Sequence, residues 1–123
     1  VNSLFFRGIE EFNAGSYFEA HDLWEELWVD TRGEARLFYQ GLIQTAVGFY
    51  HLLRQNYRGA SSQLGKALNK LETYPASYQG IDTAKLCADL AIWITRIPHL
   101  SHGVAPETDD LKIPKIHVMV CVD

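Results

Sequence analysis

At 123 residues the chain is the size of one domain with room for a single sizeable core, and its 47% hydrophobic and 21% charged residues are the balance of an ordinary globular protein. The net charge of −4, with lysines and arginines scattered rather than clustered, argues against a nucleic acid and against an anionic membrane surface as partners. No stretch reaches the about 18 consecutive apolar residues that a membrane span needs. The start, VNSLFFRGIEEF, lacks the charged, apolar and small-residue zones of a signal peptide. Cys87 and Cys121 form neither a disulfide framework nor a metal-type pair, so the expectation is a cytoplasmic protein with two reduced thiols.

The spacing of Leu4, Phe5, Ile9 and Phe12 predicts a first helix over 3–13, with Ser3 as N-cap and Asn13-Ala-Gly15 as the turn that ends it. A second helix follows over 16–29, where Ser16 and Glu19 have the spacing of a capping box. Its apolar face carries Tyr17, Ala20, Trp24, Leu27 and Trp28. Glu19, Asp22 and Glu26 point away, and His21 and Glu25 sit one turn apart at the border, beside Phe18.

The third helix, 34–55, is apolar on almost every side, which marks it as the central one. Gly41 and Gly48 are seven residues apart, so they share a face; each costs about 1 kcal/mol against alanine, and the return is close approach of another helix. One narrow sector breaks the apolar pattern, with Arg36, Gln40, Gln44 and His51 in line and Val47 between them.

A fourth helix over 58–74 turns Ala60, Leu64, Ala67, Leu68 and Leu71 inward and stops before Pro75. The loop ASYQGI leads to a fifth, 82–97, capped by Asp82 and buried along Leu86, Leu90, Trp93, Ile94 and Ile97. The remaining residues, 98–123, hold three of the four prolines and only a weak alternation over 115–122. A lone strand has no partner, so this part reads as an extended arm lying over the helices or pairing with a neighbouring subunit. The fold class is therefore all-α: one domain, 1–123, with about five helices and a C-terminal arm.

Gly8, Phe12, Gly15, Tyr17, Ala20, Trp24 and Leu27 stand near the small and aromatic positions of a tetratricopeptide hairpin. No 34-residue period is sustained, and any helical hairpin wants such residues where its helices cross.

If the second and third helices form the hairpin that their short turn implies, His21 and Glu25 approach Arg36, Gln40, Gln44 and His51, with Trp24, Trp28 and Phe38 as walls. Three readings follow. The first is a pocket that binds a small polar ligand or a protein partner. The second is a metal-assisted hydrolase in which His21, Glu25 and His51 hold a divalent metal or move protons, and Gln40, Gln44 and Arg36 orient the substrate. The third is a helical protein–protein scaffold, with no catalytic site, whose polar groups are structural, since buried His and Gln usually exist with partners. The abundance of aromatics also fits a homodimer. His99 and His102 read as exposed loop residues.

The phrases FNAGSYFEAHDLWEELW, RLFYQGLIQTAVGFYHLLRQN and GASSQLGKALNKL, from about residue 6 to 97, resemble a prokaryotic and plastid-lineage family called domain of unknown function 309. F-N-x-G-x-Y-F-E-A-H and Q-G-L-I-Q are its most specific parts; the family's E-A-H-E stands here as E-A-H-D, with Asp22. The resemblance implies a small all-α array of about five helices and marks Glu19, His21, Glu25, Gln40, Gln44 and His51 as signature positions. It implies no activity.

Overall fold

A computed structural model describes residues 3–100 and 112–119. Five helices follow one another, α1 (Ser3–Asn13), α2 (Tyr17–Val29), α3 (Ala35–Leu53), α4 (Tyr57–Leu71) and α5 (Thr83–Arg96), and each packs on the next, α5 reaching α4 after an intervening hairpin. No helix among the described residues is long and apolar enough to cross a membrane.

α1 ends in a Schellman motif. The Ser16 N–H donates to Glu11 O at 2.8 Å and the Gly15 N–H to Phe12 O at 3.0 Å, while Gly15 takes φ 86°. The chain enters α2 from this turn without the expected capping box, because the Ser16 side chain makes no cap hydrogen bond. Pairing residues near the start of one helix with residues near the end of the other shows that α1 and α2 run antiparallel. Trp24 lies against Gly8 and donates from Nε1 to Phe5 O at 3.1 Å, and Phe12 meets Tyr17 with 5.0 Å between ring centroids.

α3 stops at Leu53, two residues before the end that the apolar pattern suggests. A second Schellman motif closes it, with Asn56 N–H to His51 O at 2.9 Å and Gln55 N–H to Leu52 O at 3.0 Å. Here a glutamine, Gln55, takes the left-handed φ of 60° that glycine usually supplies. Asn56 then caps α4 by accepting from the Gly59 N–H at 3.0 Å. α4 ends at Leu71, earlier than expected, and the residues up to Tyr74 close as turns.

The close approach foreseen at the two glycines is present, and α4 is the partner. A methyl on Gly48 would stand 2.4 Å from a Leu64 carbon, and one on Gly41 2.9 Å from Leu71. Glycines seven apart thus receive leucines seven apart in reverse order, which is an antiparallel seam.

Two features fall outside a purely helical reading. Ser77–Tyr78 and Ile81–Asp82 form strands β1 and β2 of a two-residue hairpin, with positive φ at both Gln79 and Gly80, the pattern of a type I′ turn. Residues 112–119 pair with its second strand: Asp82 N–H donates to His117 O at 2.9 Å, and Met119 N–H to Gly80 O at 2.7 Å. The strand expected to be lone has a partner within its own chain, because the loop ASYQGI is a hairpin with an open edge. His102, Cys121 and the rest of the expected alternation lie outside the described residues.

The core runs through the middle of the helices as aromatic contacts, Phe5 with Phe38 and Tyr39, Phe12 with Trp24 and Phe49, and Phe49 with Trp93. These rings bury large areas and anchor α1, α2, α3 and α5 together.

Candidate functional site

The polar sector of α3 is half-buried rather than interior. Arg36, Gln40, Gln44, Val47 and His51 all keep partial exposure, whereas Phe38, Leu42, Ala46 and Phe49 are enclosed. The sector is the strip of α3 left partly uncovered by its neighbours, and its residues have different fates along it.

Arg36 is structural. Its guanidinium donates to Trp28 O at 2.9 Å and Thr31 O at 3.0 Å and lies 4.0 Å over the Trp28 ring, so it closes the C-terminal end of α2. Gln44 turns toward α4, where its Oε1 accepts from Lys70 Nζ at 2.8 Å, and so does not converge with His21. Gln40 lies on the same half-buried strip. The expected walls are also elsewhere. Trp24 is fully enclosed against Gly8, and Phe38 packs on Tyr74 and Tyr78 at centroid distances of 5.2 and 4.7 Å. Trp28 is the platform for Arg36. Glu19 is exposed and, with Arg7, Glu10, Glu11, Asp22 and Leu23, lines a broad acidic cleft between α1 and α2 of ≈ 420 Å³.

His21 and His51 do meet on one cleft. Tyr17, Phe18 and His21 from α2 face Val47, Tyr50 and His51 from α3 around a space of ≈ 200 Å³. The helical period explains the grouping, since Tyr17 and His21 are four apart, as are Val47 and His51. Phe18 forms the rim. Its ring, 49% exposed, lies 5.7 Å from the His21 ring and 5.8 Å from Tyr50. Tyr17, Val47 and Tyr50 are cleft residues that polar patterning alone does not single out; their spacing to the two histidines is the signal that carries them.

Neighbouring polar groups orient both imidazole rings. The Gly59 N–H holds Asn56 Oδ1, which turns Asn56 Nδ2 toward His51 Nδ1 at 3.3 Å. His51 Nδ1 is then an acceptor, and its Nε2 bears the hydrogen. His21 Nε2 lies 3.2 Å from Glu25 Oε2, which orients the ring from the next turn of α2. His21 Nδ1 is buried and 3.3 Å from Asp22 Oδ1, but without the alignment of a hydrogen bond. Burial on the cleft wall pushes the Tyr17 phenol up to about 12.

The set His21, Glu25 and His51 is not assembled as a metal site. Among the described residues no three His, Cys, Asp or Glu side chains are placed to hold an ion. Glu25 engages His21 Nε2, and Asn56 engages His51 Nδ1.

Over 80 residues the chain is 34% identical to the uncharacterized protein YpuF of Bacillus subtilis (strain 168), covering 62% of this chain and 46% of that protein. It is 26% identical over 80 residues to an uncharacterized protein of Aquifex aeolicus (strain VF5), covering 64% of this chain and 24% of that one. The chain therefore spans about half the length of the first of these relatives and about a quarter of the second. Residues 5–63 match the family described as domain of unknown function (DUF309), so the resemblance in the phrases around His21 and Gln40 is shown across α1, α2, α3 and the first part of α4, the region that builds the cleft.

Proposed function

We propose that this is a binding protein whose α2–α3 cleft takes a small molecule with a single-ring apolar body and one or two hydrogen-bonding groups. The observation that carries the reading is the convergence of two histidines from different helices on one space walled by Tyr17, Phe18, Val47 and Tyr50. At ≈ 200 Å³ the space is smaller than the about 300–1,000 Å³ of typical ligand sites, which limits the occupant to fragment size. Its wall is aromatic and aliphatic, so the ligand is less polar than the sequence suggests. His51, held by Asn56, offers an Nε2–H donor at the edge of this apolar wall.

The test is a fragment screen of phenols, benzamides and benzoates against the protein, followed by NMR on the His21, His51 and Phe18 ring signals. Saturable shifts confined to these rings support the reading. The variant Val47→Trp fills the cleft, and it abolishes those shifts while leaving the fold intact. Fragments that shift the filled variant equally, or that shift neither histidine, overturn the reading.

A further inference from the structure

Residues 112–119 lie in a groove assembled from three distant parts of the chain: the end of α1, the β1–β2 hairpin and α5. The polar contacts made there by this segment come from its main chain. On one edge the Asn13 side chain acts as a strand in miniature, donating from Nδ2 to Ile116 O at 2.9 Å and accepting at Oδ1 from the Ile116 N–H at 2.7 Å. On the other edge the hairpin supplies its backbone, Asp82 N–H to His117 O and Met119 N–H to Gly80 O. Trp93 Nε1 donates to Lys112 O at 3.2 Å. The alternation is that of a strand, whose successive residues turn their backbone groups to opposite edges.

Side chains contribute one fully buried anchor, Ile116, and a partly buried one, Ile113, which packs against the core. Ile116 is 2% exposed, whereas Lys115, His117, Val118 and Met119 are exposed. The groove itself does not need the segment for its construction. Asn13 stands on α1, Trp93 on α5, and the hairpin closes through its own turn. Main-chain pairing on both edges with pockets for a few side chains is how sheet edges take extended peptides.

We propose that this groove is a peptide-binding site, selective for an extended segment with an aliphatic anchor and free N–H groups at the Ile116 and Met119 positions, and that residues 112–119 are its tethered ligand. A tethered occupant raises its own local concentration and masks the site against peptides in solution.

The experiment uses the full chain carrying Ile116→Asp, which ejects its own anchor, and a capped, labelled peptide of sequence KIPKIHVM followed by anisotropy. The peptide binds the variant at one site, at least about tenfold more tightly than it binds the unmodified chain. The same peptide with aspartate at the position of Ile116 does not bind. Adding Asn13→Ala to the variant removes two hydrogen bonds and weakens binding about tenfold. A folded variant that ignores the peptide overturns the proposal, as does binding indifferent to Asn13. Loss of the entire fold in Ile116→Asp also overturns it, since the segment is then part of the core. In the unmodified chain, the Ile116 and Met119 amides exchange with deuterium faster than those of α3; exchange only with global unfolding counts against a separable ligand.

Discussion

The two edges of α3 are built on opposite principles. Toward α4, Gly41 and Gly48 remove their side chains and Leu71 and Leu64 fill the space, which leaves a dry seam with no room for a methyl group. Toward α2, the facing residues at the same end of the helix are Tyr17, Phe18 and His21 against Val47, Tyr50 and His51, and these large side chains leave a cleft between them. One helix therefore carries a closed edge and an open edge, and the choice between them is made by residue size rather than polarity. Substitutions on the first edge are expected to read out as stability, and on the second as binding.

The largest effect belongs to the seam. Leu64 is fully enclosed, so Leu64→Ala costs about 2–5 kcal/mol by urea unfolding. Gly48→Ala forces a methyl into Leu64 and costs about 1–3 kcal/mol, although alanine is the better helix former. Made together, the two cost clearly less than their sum, because the methyl enters the cavity that the leucine vacates. Strict additivity contradicts a seam built on this contact.

Next comes the one group on the open edge that depends on dryness. The Tyr17 phenol is neutral in both folded and unfolded chains below about pH 10, so its contribution is complete there. Between its ordinary value of 10.0 and about 12 the unfolded chain ionises while the folded one does not, so stability falls as pH rises through that window. The loss is on the order of 2 kcal/mol, and Tyr17→Phe lacks it. Equal alkaline losses in both proteins place the phenol in water and the cleft wall with it.

These contrasts also show what the sequence reveals and what it hides. Helices α1 to α5 are legible because apolar residues at helical spacing need no knowledge of the partner. The glycine pair is legible for the same reason, since a cost of about 1 kcal/mol each demands a compensating contact. The end of α3 is not, because Gln55 occupies a backbone conformation that sequence signals reserve for glycine or asparagine. The hairpin hides behind Gln79-Gly80, a turn pair less telling than Asn-Gly, and with it the partner of residues 112–119. At the site, a helical wheel places His21 on a border and His51 in the polar sector but does not say which neighbour covers either. Gln44 finds Lys70, 26 residues downstream, and Trp24 finds Gly8 on α1.

A smaller effect isolates the end of the open edge. Replacing Gln55 with glycine relieves the left-handed strain just after His51, and about 1 kcal/mol of added stability is expected after the flexibility of glycine is offset. Thermal unfolding measures it. A destabilised variant means that the Gln55 side chain, rather than the backbone turn, holds the motif together.

The smallest expected effect is the most telling for function. His51→Ala removes one half-exposed contact, Asn56 Nδ2 to the ring, and leaves the Asn56 cap on Gly59 in place. Stability therefore changes by no more than about 0.5 kcal/mol, as for other surface substitutions away from caps and cores. Fragment-induced shifts of Phe18 and His21 nevertheless weaken, because one of the two histidines on the cleft is gone. The pairing of a near-silent unfolding curve with lost binding is the signature of a residue kept for a ligand rather than for packing. A cost above about 2 kcal/mol reverses the assignment and makes the α2–α3 edge a second seam, differing from the first only in the size of its side chains.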